Sequence, residues 1–129
     1  MRSQYNPIII ISTDKLTNSQ GTNSKNYIQF LASLELGGIS YRRCRGLYDG
    51  HVERSFILEN TPENLKLAKQ TAKFYNQESI LIMDNEGKGE LLYPEKGITE
   101  SLGKLNVTTE KPQGDYTKVL DTCQYFTFN

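Results

Sequence analysis

The sequence predicts an α+β domain, a ferredoxin-like, split βαβ (βαββαβ) sandwich with an added hairpin and a C-terminal strand. Three observations predict it. Two short aliphatic runs, IIII at 8–11 and SILIM at 79–83, have the β-branched, unbroken character of buried strands. Two stretches with apolar residues at helical spacing lie between those runs. Between the helical stretches, two alternating segments are joined by a glycine-bent connection. Right-handed crossovers in both βαβ halves would set both helices on one face of the sheet. With 129 residues, the whole chain, 1–129, fits a single domain with a moderate core.

The elements follow in order. A first strand occupies 5–13, bounded by Pro7 and Asp14. Residues 14–26 are rich in Asn, Ser, Thr and Gly and form a loop. Asn23 or Ser24 caps the next helix, whose apolar side carries Tyr27, Ile28, Phe30, Leu31, Leu34 and Leu36. Gly37-Gly38 ends it. Strands are expected at 39–45 and 52–58, with Val52, Arg54, Phe56 and Leu58 on one face of the latter and Glu53, Ser55 and Ile57 on the other. The turn between them, 46–50, closes on Asp49-Gly50, a strong turn pair. Thr61 caps a second helix and Pro62 takes its first position. Leu65, Leu67, Ala68, Ala72 and Tyr75 supply its apolar side. After SILIM, residues 84–87 form a turn and 90–93 return as a hairpin partner. Residues 94–115 are polar and read as loops, with one short strand at 105–108. The alternating aromatics of CQYFTF, 123–128, give a last strand.

Composition excludes several classes. Fifteen basic residues balance fifteen acidic ones, whereas a general nucleic-acid binder carries a basic excess. Cys44 and Cys123 form no CxxC, and a lone His51 builds no His-rich metal site, so neither metal nor cofactor is expected. The thiols read as reduced, although a disulfide between them stays open. No apolar run is long enough to span a membrane, and MRSQYNPIIIIS lacks a secretion-signal core. A cytoplasmic protein is the expectation. A small polar domain with one open sheet face is also expected to recover burial by associating with copies of itself.

Candidate chemistry concentrates in YRRCRGLYDGHVERSF, 41–56. Glu53 stands beside a turn containing Gly46 and Gly50, where backbone can approach a ligand closely. Its carboxylate suits an ammonium, a sulfonium or ribose hydroxyls, or is simply paired with a nearby arginine. Tyr41 and Tyr48 either stack on a base and donate hydrogen bonds, or pack. Arg42, Arg43 and Arg45 flank Cys44; Arg43 and Arg45 share a face and either bind an anion or lie in solvent. His51 is a general base or a bystander. Ser12 and Thr13 end the first strand, a frequent ligand position and an ordinary turn alike. Gly87-Lys88-Gly89 is a hairpin turn, not a phosphate loop.

Together these residues carry a resemblance. The apolar strand ending in Ser12, the helix after it, Tyr41…Gly46-x-Tyr48-x-Gly50-x-x-Glu53-x-Ser55-Phe56, the helix LKLAKQTAKFYNQ, SILIM, a hairpin and an aromatic last strand are laid out over roughly 8–128. This layout resembles the small phage-encoded S-adenosylmethionine lyases, once described as hydrolases, and uncharacterised bacterial domains of the same spacing. The resemblance implies a homotrimer of ferredoxin-like subunits, similar to the PII signalling proteins, with substrate between subunits. It implies Glu53 as the essential carboxylate and Tyr41 as the active-site tyrosine, with Tyr48 as a rival. Ser12, Thr13, Gly46, Tyr48, Gly50 and Ser55 would contact the substrate. It further implies that the enzyme destroys S-adenosylmethionine without a cofactor, giving 5′-methylthioadenosine and homoserine lactone, as a phage counter-defence against restriction-modification. Arg43 and Arg45, if they faced the pocket, would instead favour a module that only binds an anionic, nucleotide-derived signal.

Overall fold

A computed structural model describes residues 5–129; residues 1–4, part of the segment read as lacking a secretion-signal core, lie outside the described residues. The strands are β1 (Ile8–Ser12), β2 (Arg42–Tyr48), β3 (His51–Glu59), β4 (Ile80–Met83), β5 (Lys88–Tyr93), β6 (Ile98–Thr108), β7 (Tyr116–Val119) and β8 (Tyr125–Phe128). The helices are α1 (Gln20–Leu36) and α2 (Pro62–Phe74). Every strand pairs antiparallel with both neighbours, and the sheet closes in the order β1-β3-β2-β7-β8-β6-β5-β4.

This closed barrel overturns the ferredoxin-like, PII-like sandwich. Both helices do connect strands along the arc β4-β1-β3-β2, but that arc does not end in free edges. β7 continues it from β2 and β5 from β4, while β8 and β6 join the two ends. Closure removes the edges, each a row of unpaired backbone donors and acceptors. It also gives the sheet's second face a cover of its own. The ground for expecting subunits to cover that face is therefore gone.

Two cores result, one on each side of the sheet. Alternation along β1 sends Ile9 and Ile11 outward to meet Phe30 and Leu34 of α1, Ala68 and Ala72 of α2, and Phe56, Leu58 and Ile80 of the neighbouring strands. Small alanines on α2 let that helix approach the sheet closely. The opposite parity, Ile10 with Cys44, Ile57, Leu81 and Val119, packs with Ile8, Leu91, Leu102, Phe126 and Phe128. All eight strands contribute to this second cluster, which places it in the barrel lumen. Each fully buried large aliphatic or aromatic side chain contributes about 1.5–3 kcal/mol.

Local signals set most boundaries. Ser19, not Asn23 or Ser24, caps α1 by accepting from the Thr22 amide. Asn23 instead clasps Lys15, accepting from its N–H at 3.0 Å and donating to its carbonyl at 2.9 Å. Thr61 caps α2 as its sequence predicts. β2 and β3 run further than expected, to a two-residue turn at Asp49 (φ 50°) and Gly50 (φ 85°). Both turn residues need positive φ, which Asp tolerates and Gly adopts freely. Residues 46–48 are therefore strand, not turn. In the region 94–115, read as loops with a short strand at 105–108, β6 spans eleven residues that include that strand, and β7 adds four just beyond it, where no element was expected.

Closure makes β7 part of the core. We predict that Val119→Ala, at a fully buried position, costs about 2 kcal/mol in urea unfolding. Lys118→Ala on the outer face should stay within about 0.5 kcal/mol. Equal, small effects at both positions would mean that β7 does not close the sheet.

Candidate functional site

The lumen is only partly filled. A cavity of about 590 Å³ opens at the end where β1 and β2 finish and β3, β4 and β7 begin. Side-chain size explains it. Ile10, Leu81, Leu91, Leu102, Phe126 and Phe128 form an apolar floor. Nearer the mouth the inward positions shrink to Ser12 and Ser55, which are register partners, and to Gly46 and Thr117, which are also partners. Small side chains there leave room that large ones fill below.

One ion pair fixes the mouth. The Asp14 carboxylate accepts two hydrogen bonds from the Arg54 guanidinium, at 2.9 and 3.0 Å, and one from the Arg54 backbone N–H at 2.9 Å. Ser12 Oγ donates to the Arg54 carbonyl at 2.7 Å and accepts from the Asp14 N–H at 3.0 Å. Gln77 at the end of α2 donates to the Asp14 carbonyl at 2.8 Å. The guanidinium also lies 4.4 Å from the centre of the Tyr27 ring, which stacks on Phe56. Charge, hydrogen bonding and a cation–π contact therefore hold β1, β3, α1 and α2 together at the cavity entrance.

Glu53 lies on the inward face of β3, half-buried beside the cavity, and among the described residues its carboxylate makes no hydrogen bond or ion pair. Burial raises its pKa above the usual carboxylate value; His51 opposes the shift and Asp14 adds to it. Its register partner across the β2–β3 pair is Gly46. A Cβ on Gly46 would sit 2.0 Å from the Tyr48 ring, so the missing side chain is what lets that ring fold over the strand. The Tyr48 hydroxyl shares a 2.5 Å hydrogen bond with Thr117. Burial pushes the Tyr48 phenol up to about 12, so it stays protonated at neutral pH.

The mouth is acidic. Glu53, Glu78, Glu100, Asp49 and Asp115 face it, against Lys15 and His51, while Asp14 is neutralised by Arg54. Asp115 also accepts from the Asp49 N–H at 3.0 Å. Such a rim attracts cations and repels phosphates. Among the described residues no group of three or more His, Cys, Asp or Glu side chains is arranged to hold a metal ion.

Of the residues singled out in the sequence, the fold brings Ser12, Tyr48, Glu53 and Ser55 to this cavity, with Gly46 beneath Tyr48. Tyr41 lies elsewhere. It precedes β2, donates to Glu35 at 2.9 Å and packs edge-on against Phe56. Tyr41 and Arg43 line a separate shallow groove with Arg42, Leu120 and Asp121. Arg42 is engaged by Asp121 at 2.8 Å. Arg45 is exposed on the outer face of β2, opposite Arg54 and Lys118. Thr13 is fully buried, its Oγ1 without a partner among the described residues, and is not part of the cavity wall. Gly50 shapes the hairpin turn. Both cysteines are free; Cys44 is buried, its thiol pushed up to about 12, and Cys123 is exposed.

Sequence reasoning passed over Asp14, Thr117 and the aromatic floor. Asp14 reads as a strand breaker, yet the fold buries it at the cavity rim, paired with Arg54. Phe126 and Phe128 read as a strand, but nothing in the sequence says that their shared face is a lumen.

The model of the family described as S-Adenosylmethionine lyase family matches residues 9–129. No curated protein matches the chain.

Two outcomes follow from the geometry. Asp14→Ala strands the Arg54 N–H and guanidinium and should cost about 2–3 kcal/mol in urea unfolding. Unchanged stability would remove the pair from its anchoring role. Glu53→Gln should instead stabilise. A carboxyl whose pKa is raised by folding favours the folded state at low pH and loses that contribution as pH rises through the raised value. The variant's melting temperature should therefore exceed wild type at pH 7–8, and the gap should close towards pH 4, about the unfolded glutamate value. A gap independent of pH would mean that Glu53 is not desolvated.

Proposed function

The chain belongs to the S-adenosylmethionine lyase family, and we propose that it degrades S-adenosylmethionine in the acidic barrel cavity. The observation that carries this reading is the half-buried Glu53 carboxylate, which faces the mouth of that cavity and has no hydrogen bond or ion pair among the described residues. The ligand it suits is cationic. Arg43 and Arg45, which would have favoured an anionic ligand, lie outside the cavity, as does Arg42, and this argues against the signal-binding alternative.

The chemistry asks little of the protein. An oxygen of the substrate's own carboxylate attacks its γ-carbon, the bond from that carbon to sulfur breaks, and the electron pair moves to sulfur. Neutral 5′-methylthioadenosine leaves and homoserine lactone remains, its ammonium unchanged. No proton is transferred. Opposite charges annihilate on the way to the transition state, so a site poor in water favours the step. The protein's contribution is to hold the folded conformer in which oxygen faces carbon.

Charge accounting assigns Glu53 a specific role. A carboxylate against the sulfonium would stabilise a charge that vanishes in the transition state, and so would slow the step. Against the ammonium, which keeps its charge throughout, it anchors the amino-acid end and leaves the substrate carboxylate free to attack. We therefore read Glu53 as the ammonium holder. Ser55 stands beside it as a hydroxyl donor, the Ser12 proton being already given to the Arg54 carbonyl, and Tyr48, fixed by Thr117, is a wall and not a base. Loss of S-adenosylmethionine would disarm host restriction or methylation, the counter-defence role that the family resemblance implies.

Incubation of purified protein with S-adenosylmethionine should release methylthioadenosine and homoserine lactone, resolved by mass spectrometry. Glu53→Gln should lower kcat/KM about 10- to 100-fold, the worth of one charge-assisted hydrogen bond. Activity should fall on the acid side as Glu53 takes up a proton, at a pH above the usual carboxylate range. No product at high enzyme concentration would overturn the proposal.

A further inference from the structure

We propose that α1 docks antiparallel on α1 of a second copy of this chain, across a twofold axis at the level of Phe30. The inference is independent of the lyase reading, and no residue of α1 lines the barrel cavity.

The helix does not sort its residues as an ordinary surface helix does. Phe30 and Leu34 are buried in the helix-side core, with Tyr27 and Leu31 packed beside them. Ile28 and Leu36, whose spacing reads as part of that apolar side, are instead 64% and 90% exposed. At 3.6 residues per turn, Lys25, Ile28, Ala32, Glu35 and Leu36 fall within about 100° of arc on the side away from the core. All five are exposed, and Gly21 and Ser24 carry the same stripe one turn further back. Phe74 at the end of α2 widens the apolar surface. It is 73% exposed and edge-on to Tyr75, whose hydroxyl donates to Gln29 of α1 at 3.2 Å. Single exposed apolar residues are ordinary on a protein surface, but a line of them along one helix face marks a place for a partner.

The charges of the stripe identify that partner. Lys25 and Glu35 are the only charged residues of α1, and they stand at equal distances on either side of position 30. Ile28 and Ala32 are likewise placed symmetrically about it. A twofold axis at that level sets Lys25 against the partner's Glu35, Ile28 against the partner's Ala32 and Leu36 against the partner's Ser24, each contact occurring twice. A bulky side chain meets a small one at both apolar steps, so the helices can approach to about 8–10 Å. Among the described residues Lys25 makes no ion pair, and the Glu35 carboxylate accepts one hydrogen bond, from the Tyr41 hydroxyl. Parallel docking would instead oppose like charges. A membrane surface would ask for a basic cluster, and this face has a single lysine. From Gly21 to Leu36 the stripe is about 22 Å long, at 1.5 Å per residue. A contact of that size is smaller than a permanent interface, so the association is weak and depends on concentration.

Sedimentation equilibrium of the full chain between about 5 and about 500 µM tests this, the range in which so small a contact associates. A species that doubles in mass with concentration is expected. Lys25→Glu and Glu35→Lys, each placing like charges together twice per pair, should each weaken the doubling about 5- to 30-fold. The combined Lys25→Glu, Glu35→Lys protein should recover it, which only the antiparallel register allows. Ala32→Arg, at an exposed position, should abolish it, while Lys69→Glu on the exposed side of α2 should leave it unchanged. Melting temperatures of the variants, taken at a concentration below the association, establish that each is folded. No doubling up to about 500 µM would overturn the proposal. So would doubling that both single charge reversals leave untouched, since that places the contact on another face. Co-flotation with phosphatidylcholine vesicles in place of self-association would assign the stripe to a lipid surface and would overturn it as well.

Discussion

The pairing of Asp14 with Arg54 decides where β1 stops and therefore where the cavity opens. Burying a carboxylate is costly unless its lone pairs are satisfied. Here three donors from a single residue meet it, two from the side chain and one from the backbone. The Arg54 side chain stays about one-third exposed, so its desolvation is modest. Its flat face rests on Tyr27, and Tyr27 rests on Phe56 in the helix-side core. The polar clasp at the mouth and the apolar packing outside the barrel are thus parts of one contact chain. If that chain is loosened, the Ser12 hydroxyl, the loop after β1 and the end of α2 lose their common anchor.

The cavity itself reflects a conflict between stability and function. A lumen lined throughout by residues the size of Leu and Phe would be filled and more stable. Inward positions near the mouth are instead Ser, Gly and Thr, and the carboxylate among them is unpaired among the described residues. The raised pKa of Glu53 is the thermodynamic trace of that choice, since ionising it at neutral pH opposes folding. Helices packed on β1, β3 and β4 supply the compensating burial on the other side of the sheet. One side of the barrel wall holds the fold together, and the other side is left free to bind.

What the sequence made legible follows the same division. Strands backed by the helix-side core are apolar and were visible, as were both helices and the Thr61 cap. β7 and all of β6 except its last four residues, 105–108, were not, because ITESLGKLNVT and YTKV carry few large apolar residues. One face of these strands meets solvent and the other meets a partly empty lumen, so neither face demands the aliphatic runs that mark a buried strand. Missing them turned a barrel into a sandwich. The same gap hid the site's other half. Glu53, Tyr48 and Ser12 stood out as chemistry near a turn, but Thr117 and Phe126 join them only through register across β7 and β8. Tyr41 and Arg43 looked local to the site because sequence distance along β2 is short. Their places at and before the far end of that strand carry them to a different groove.

The electrostatics of the two faces fit one kind of ligand. Arg45, Arg54 and Lys118 stand in register on the outer face, a row of like charges that is tolerable only because water screens it and Asp14 neutralises one member. Inside, carboxylates dominate the mouth and the floor is uncharged. A cation is drawn to the mouth, while a phosphate meets repulsion there. Tyr48, in the cavity wall, is held as a phenol by burial and so neither takes up a proton nor attacks at neutral pH. A site arranged in this way suits a reaction in which the substrate brings its own nucleophile and leaving group. The enzyme then supplies shape, one fixed negative charge and shelter from water.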